Sequence, residues 1–358
     1  MKIGVTFFPT VGLQDKAASQ YYDECLALAV LADELGYHHI KTVEHYFFTY
    51  GGYSPDPVTF LAAVAARTTR IRIGTSAVIP AFTHPIKLAG KLAMLDNLSH
   101  GRLDVAFGRA FLPDEFEAFG VPMDESRERF DEGVEACKAL WESENVRFEG
   151  RFHSFGPVTL LPRTVQRPHP PVYVTSARSL DSCKAAGSLG HRLQLVPGIL
   201  SLEQMQEALR VYRAAWADAG RDPSDAEVHL GYPCYIADDA EEAYRIGRYD
   251  DERNGAAISA AVSSWGRVSS SSYPGYEKLA DTRLRAGFDQ KLAKNKILAG
   301  TPETVAQQLA TVANRFGDNL VVSLNLHSGH LSQQESERTL RLMAEQVVPS
   351  LPGARSAV

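Results

Sequence analysis

The segment IRIGTSAVIPAFTHPIKLAGKLAMLDNLSHGRLDVAF, residues 71–107, contains a predicted strand, a helix and a second strand in direct succession. The strands are 71–79 and 103–107, and the helix, 84–98, begins with a His-Pro pair and stops before Gly101. Proline suits the first turn of a helix because an N–H there has no intrahelical partner. Short, continuous apolar strands are typical of parallel sheets covered on both faces. The segment therefore predicts a β-α-β unit.

The same alternation extends to both ends of the chain. Predicted strands are Ile3–Phe8, His39–Val43, 71–79, Leu103–Phe107, Pro171–Thr175, Arg192–Val196, 228–236 and Leu320–Leu326. Predicted helices are 20–35, 57–68, 84–98, 124–142, 179–189, 201–220, 239–249, Pro302–Phe316 and a last one near 333–347. About eight units favour an α/β fold closed into a (β/α)8 TIM barrel, one domain over 1–358. An open doubly wound sheet is the alternative, but no GxGxxG motif follows the first strand.

A long insertion, 254–296, is predicted before the last strand. Residues 254–276 are small, polar and rich in glycine and serine, and 277–296 are rich in lysine and arginine. Loops of this length within compact domains are commonly functional lids. The prediction is a mobile lid that closes over the site, and a disordered surface insertion is the alternative.

Composition narrows the function classes. The formal net charge of −6 argues against broad binding to nucleic acid or to acidic membranes, because both require a basic surface. The four cysteines are scattered without a CxxC pair, which is typical of reduced thiols in a cytoplasmic protein. No stretch approaches the ~20 apolar residues that span a bilayer. The N-terminal apolar run is too short for a signal peptide and is predicted to be the first strand.

Candidate functional residues lie in or after the carboxyl-terminal parts of the predicted strands, because chemistry in a barrel lies at the carboxyl ends of the strands. These candidates are Glu44, His45, Ser76, Ala77, Arg109, Ser176, Ala177, Arg178 and Ser179. His45 is the candidate general acid or base, since imidazole titrates near neutral pH, although a packed structural histidine is the alternative. Arg109 and the turn 176–179 together predict a phosphate site, with ordinary helix capping by serine as the alternative for the turn.

Other chemistries fit less well. His327 and His330 lie three residues apart, and His38, His39 and His45 form a small group, but neither set has the spacing of a zinc site, so no metal is predicted. A serine hydrolase is disfavoured because there is no GxSxG motif.

The chain resembles bacterial luciferase and related flavin-dependent monooxygenases over nearly its whole length. The resemblance rests on KIGVTFF, TVEHYFF with SPDP, the segment 71–110, DEFEAFGVPMDESRERFDEG with the following LW, PPVYVTSARS, LAGTPETVAQQL and LRLMAEQVVPSL. The His-Pro pair and the LDxLSxGR pattern, at their mutual spacing, are the most specific features.

The resemblance implies roles for individual residues. His45 matches the active-site histidine of the Glu-His pair, and Glu44 precedes it. Ser76 and Ala77 match a pair joined by a non-prolyl cis peptide that lies against the flavin ring. Flavin-phosphate contacts are implied at Arg109, Ser176 and Ser179, with Ala177 and Arg178 in the same turn, and Glu115 matches an acidic position near the flavin.

Three positions differ from the light-emitting subunit. Tyr46 replaces a second histidine, Gly108 replaces a reactive cysteine, and Thr175 replaces an acidic residue at the phosphate turn, where Arg178 is an added cation. These differences argue against light emission and against specificity for long-chain aldehydes. The flavin site itself remains expected.

The resemblance therefore implies a two-component monooxygenase. Reduced, diffusible FMN from a separate flavin reductase and O2 would oxygenate a small organic substrate through a flavin hydroperoxide, with His45 moving a proton. The expected pocket wall comprises Phe7, Phe8, Phe47 and Tyr50. A homodimer is also implied. The alternatives are a deazaflavin-dependent oxidoreductase on the same fold and a non-catalytic partner subunit.

Overall fold

Parallel strands close into a barrel at the centre of the fold. The computed structural model describes residues 1–176, 179–282, 285–317 and 319–351. The strands in these ranges are β1 (Lys2–Phe7), β2 (His39–Thr42), β3 (Arg72–Thr75), β4 (Leu103–Phe107), β5 (Val146–Glu149), β6 (Ser154–Val158), β7 (Val172–Ser176), β8 (Arg192–Leu195), β9 (Val228–Ile236), β10 (Leu298–Gly300) and β11 (Leu320–Leu326). Eight of them pair in the order β1-β2-β3-β4-β7-β8-β9-β11, and β11 pairs again with β1, so the predicted barrel is confirmed.

Helices surround this barrel. In the same ranges they are α1 (Ala18–Glu34), α2 (Pro57–Arg67), α3 (Pro85–Leu98), α4 (Pro113–Ala118), α5 (Ser126–Glu142), α6 (Leu180–Leu189), α7 (Leu202–Asp218), α8 (Ala240–Ala261), α9 (Phe288–Ala293), α10 (Pro302–Phe316) and α11 (Gln333–Leu342). Local signals explain their ends: proline occupies the first turn of α3 after the capping side chain of His84, and α6 ends at Gly190 with φ +72°. Over the described ranges, none of these helices has both the length and the apolar character needed to cross a bilayer.

The barrel interior is polar, which corrects the expectation of continuous apolar strands. The Lys41 ammonium donates to Oε1 of Gln194 over 2.9 Å and contacts the ring of His229. Because β2 and β8 lie on opposite sides of the ring of strands, this hydrogen bond crosses the barrel. Apolar residues such as Ile40 alternate with these polar ones and belong to the hydrophobic core. The strands look apolar in sequence because their outward positions are packed under the helices.

The interior polar groups are mutually hydrogen-bonded. His39 Nε2 lies 2.7 Å from the Ser323 hydroxyl, and the phenol of Tyr173 donates to Glu227 over 2.6 Å. Burial lowers the pKa of Lys41 to about 7, although the charges of Asp104 and Glu227 oppose this effect. A network of this kind is tolerated in a core because its members satisfy one another.

Several elements escaped the sequence predictions. Helix α4, the antiparallel β5–β6 hairpin and the short strand β10 were not predicted, and α8 continues to Ala261, well past the expected end at 249. The first part of the predicted insertion is therefore helical. Ala257 and Ala261 are the buried residues of that part. Earlier in the helix, a Cβ on Gly247 would lie 2.5 Å from the Phe288 ring, so α8 packs closely against α9 there.

Trp265 and Tyr273 of the insertion pack against residues that follow β4. The indole N–H of Trp265 donates to the Phe111 carbonyl over 3.0 Å, and both Trp265 and Tyr273 are buried. Together with Phe116 they form a second hydrophobic cluster, separate from the main core. Mobility of 254–296 stays a prediction.

Candidate active site

His45 and Glu44 follow the carboxyl end of β2, and both are buried. Nδ1 of His45 lies 3.1 Å from Oε1 of Glu115, which belongs to α4. The same oxygen accepts the backbone N–H of Tyr46 over 2.9 Å. Its partner oxygen, Oε2 of Glu115, is buried without a hydrogen-bond partner within the described part of the chain. The structure thus brings together the two predicted residues His45 and Glu115.

Glu44 has a different set of partners. Its Oε1 accepts the phenol of Tyr46 over 2.8 Å, and its Oε2 accepts the backbone N–H of Ile79 over 3.1 Å. Burial raises the pKa of Glu44 to about 7, opposed by its two hydrogen bonds and by the charge of Lys91. Lys91 itself pairs with Asp56 at 2.8 Å. Glu44 therefore connects the end of β2 to the chain that follows β3.

That chain contains Ser76 and Ala77, and the peptide bond between them is cis, as the resemblance implies. The predicted strand 71–79 ends earlier, at Thr75, because the backbone leaves the sheet here and only Val78 forms a bridge, to Phe107. A Cβ on Gly108 would lie 3.0 Å from the Cβ of Ala77. Glycine at 108 therefore lets the backbone after β4 approach Ala77 closely.

Aromatic rings surround the His45 imidazole. The ring centroids of Tyr50, Phe111 and Phe8 lie 5.1, 5.8 and 5.9 Å from that of His45. Two expected wall residues lie elsewhere, which corrects the prediction. Phe7 packs in the main core against Phe60 of α2, because alternate residues of β1 face opposite sides. Phe47 is 66% exposed, and its ring lies near those of Tyr46 and Phe119.

The described phosphate candidates have partners that the sequence did not indicate. Arg109 donates to the Ser272 carbonyl over 2.7 Å, and its guanidinium carbon lies 4.5 Å from the centre of the Tyr273 ring. Its contacts are thus with the insertion. The Ser176 hydroxyl donates to the Ser179 carbonyl over 3.3 Å, and Ser179 also caps α6. Ala177 and Arg178 lie outside the described residues.

Among the described residues, Arg127 contacts this turn, and the sequence analysis missed it. Its guanidinium lies 3.4 Å from the hydroxyls of both Ser179 and Ser182. Burial raises the pKa of Asp131, one turn further along α5, against the opposing charges of Arg127 and Arg109. The Asp131 carboxyl therefore interacts with the charges of both guanidinium groups, and Arg127 also contacts the serine hydroxyls. No local pattern distinguishes Arg127 from Arg129 in the same helix, so only the fold identifies it.

Comparisons with known proteins identify the family of this chain. Residues 1–319 match the model of the luciferase-like monooxygenase family. The oxygenase component of the flavin-dependent trigonelline monooxygenase of Acinetobacter baylyi is 34% identical over 226 residues, which are 63% of this chain and 62% of that protein. The chain thus matches less than two thirds of that relative's length. The FMNH(2)-dependent dimethylsulfone monooxygenase of Pseudomonas putida is 27% identical over 323 residues, 84% of this chain and 82% of that protein.

Solved structures extend the similarity to the three-dimensional level. The monooxygenase RslO1 from Streptomyces bottropensis is 53% identical, with a TM-score of 0.89 over 98% of this chain and 99% of that one. The coenzyme F420-dependent tetrahydromethanopterin reductase of Methanopyrus kandleri, at 16% identity and a TM-score of 0.68 over 98% and 99% of the two chains, shares the fold. Because the family model covers most of its length, this chain belongs to the luciferase-like monooxygenase family.

Proposed function

We propose that this protein is the oxygenase component of a two-component system that binds reduced FMN at the barrel mouth. The observation that supports this most is the joint placement of a guanidinium-rich rim and the His45–Glu115 pair at the carboxyl ends of the strands. A flavin mononucleotide has an anionic tail and a planar ring, and such a site can bind both ends of it. FMNH2-dependent chemistry in a 27% identical relative supports the same cofactor.

The residues present fit that cofactor. Arg127, Arg109 and the hydroxyls of Ser176 and Ser179 are donors suited to a phosphate, which guanidinium binds in a bidentate manner. The unpartnered Oε2 of Glu115 can accept a hydrogen bond from a ligand. Bound reduced flavin would supply two electrons, so that one atom of O2 enters the substrate and the other leaves as water.

The protein's own groups would then orient the reactants and move a proton. Glu115 accepts from Nδ1 of His45, which fixes the imidazole tautomer and leaves Nε2 to exchange a proton with the ligand. The rings of Phe8, Tyr50 and Phe111 exclude water around that nitrogen. The insertion contacts Arg109, one of the proposed phosphate ligands, through the Ser272 carbonyl. This contact is consistent with a lid.

Anaerobic titration tests this proposal directly. The purified protein would be titrated with oxidised FMN, with reduced FMN and with a reduced deazaflavin, and each dissociation constant measured by fluorescence or absorbance. We expect the tightest binding for reduced FMN. Preferential binding of the deazaflavin would favour hydride transfer without oxygen, and failure to bind any of the three would refute a flavin site.

Oxygen transfer is tested separately. The FMN-loaded protein, supplied with a flavin reductase and NAD(P)H, would be mixed with candidate substrates under 18O2. We expect one labelled atom in the product of a true substrate and the other in water.

A further inference from the structure

Tyr46 contacts both carboxylates that flank His45, through different atoms. Its phenol donates to Glu44 over 2.8 Å, and its backbone N–H donates to Glu115 over 2.9 Å. Glu44 in turn accepts the N–H of Ile79, and Glu115 accepts from the imidazole of His45. A single residue is therefore hydrogen-bonded to the group that orients the imidazole and to the group that holds the chain around Ser76 and Ala77.

The contacts of Glu44 show why the phenol matters. The carboxyl group is buried and its described hydrogen bonds are one to Tyr46 and one to Ile79. A buried carboxyl group with a single donor can rotate about its terminal bond, whereas donors on each oxygen define its plane. The phenol thus keeps Oε2 directed at the Ile79 amide.

We propose that Tyr46 is a positioning residue, which acts through Glu44 to hold the segment 76–79 in the orientation required by the flavin ring. The connection of this role to flavin rests on the proposed function. The link from Tyr46 through Glu44 to residues 76–79 does not depend on flavin. The Tyr46 phenol is hydrogen-bonded to Glu44 and not to Glu115. The hydrogen bond to Glu115 comes from the backbone amide of Tyr46, which any substitution other than proline preserves.

The competing interpretation is that Tyr46 only fills space. Its ring packs edge-on against Phe119, with centroids 4.8 Å apart, and lies 6.4 Å from that of Phe82. Tyr46→Phe separates the two roles, because it keeps the ring and removes the hydroxyl. Tyr22→Phe is a matched control: Tyr22 is also partly buried, and its phenol donates to the Tyr53 carbonyl over 2.8 Å, away from this segment.

Hydrogen exchange of the flavin-free protein provides the first measurement. We expect amide exchange in a peptide spanning 76–80 to become about tenfold faster in Tyr46→Phe, the size expected for losing a hydrogen bond to a buried carboxyl group. Tyr22→Phe should leave it unchanged. Glu44→Ala should accelerate the same peptide, and the Glu44→Ala/Tyr46→Phe double variant should be no faster than Glu44→Ala alone, since the phenol acts through that carboxyl.

Flavin binding provides the second measurement. For Tyr46→Phe we expect the dissociation constant of FMN to rise about tenfold. The turnover number at saturating flavin should stay within about twofold, because the Glu115–His45 contact is intact. A fall in turnover number with unchanged affinity would contradict a positioning role and assign the phenol to the chemical step.

The outcomes separate the inference from the function on which it rests. The role of Tyr46 would be overturned if amide exchange in the peptide 76–80 were as slow in Tyr46→Phe as in the wild type. Additive effects of the two substitutions in the double variant would also overturn it, whatever the flavin result. If the wild-type protein binds no flavin while the exchange results hold, the proposed function fails and the Tyr46–Glu44–Ile79 connection remains.

Discussion

His45 uses one ring nitrogen for Glu115, 3.1 Å away, and has the other available for a ligand. We expect His45→Ala to lower product formation at least a hundredfold, the usual size for a general acid or base, while the FMN dissociation constant changes by less than about threefold. Steady-state kinetics and a flavin titration measure the two quantities. His153→Ala, in the β5–β6 turn, is the control. Unchanged turnover in His45→Ala would refute its assignment to proton transfer.

Glu44 should make stability depend on pH in an unusual direction. Burial raises its pKa from 4.5 to about 7, so in that interval the unfolded chain is ionised and the folded one is protonated. The stability of the wild type relative to Glu44→Gln should therefore fall as pH rises from 4.5 to 7, by on the order of 3 kcal/mol, and level off above 7. Urea denaturation of both proteins at pH 5 and 8 measures it. A constant difference would mean that Glu44 is ionised throughout.

The insertion is attached to the barrel through Asp124 as well as Arg109. Asp124 Oδ1 accepts the hydroxyls of Ser270 and Ser271 over 2.5 and 3.0 Å, and its carbonyl accepts that of Ser272 over 3.0 Å. We expect Asp124→Ala to accelerate amide exchange of 268–276 several-fold without affecting the barrel strands, because exposed hydrogen bonds hold this segment.

A matched control distinguishes this attachment from a general effect of losing an exposed carboxylate. Asp222→Ala removes an aspartate that accepts the Ser224 N–H over 2.8 Å, far along the chain. It should leave 268–276 unchanged. If both variants behaved like the wild type, Asp124 would not restrain the insertion.

The sequence predicts some secondary-structure elements better than others. Strands β4 and β9 match their predicted bounds. The end of α8 falls in the segment 254–276, which is predicted to be a loop because it is small, polar and rich in glycine and serine. Its alanines favour a helix, and Ala257 and Ala261 are buried, so local propensity and tertiary packing both stabilise this part of α8.

In the whole molecule, the polar barrel interior should also affect stability. Lys41 is buried with a pKa lowered to about 7, so between pH 7 and 10.5 the unfolded chain binds the proton that the folded chain has lost. The stability of the wild type relative to Lys41→Met should rise with pH, by on the order of 3 kcal/mol between pH 6.5 and 9.5. Chemical denaturation at both pH values measures this difference. A flat or falling difference would contradict a neutral buried amine.

The candidate site was only partly predictable. Position after a strand identified His45, because every parallel strand of a barrel ends at the same mouth. The partners of the predicted residues were not predictable. Arg109 donates to the Ser272 carbonyl, and Arg127 contacts the Ser179 hydroxyl. Both side chains are long, so the packing of the loops decides which acceptors they reach.

The amino-acid sequence by itself determined the alternation of strands and helices, the barrel class and the family, because periodicity, caps and short motifs are local properties of the chain. Tertiary structure alone decided which groups meet. Glu115 reaches His45 from 70 residues away and Lys41 reaches Gln194 from 153 away. Such pairs form only after the barrel has closed, since its geometry sets distances that spacing along the chain does not encode.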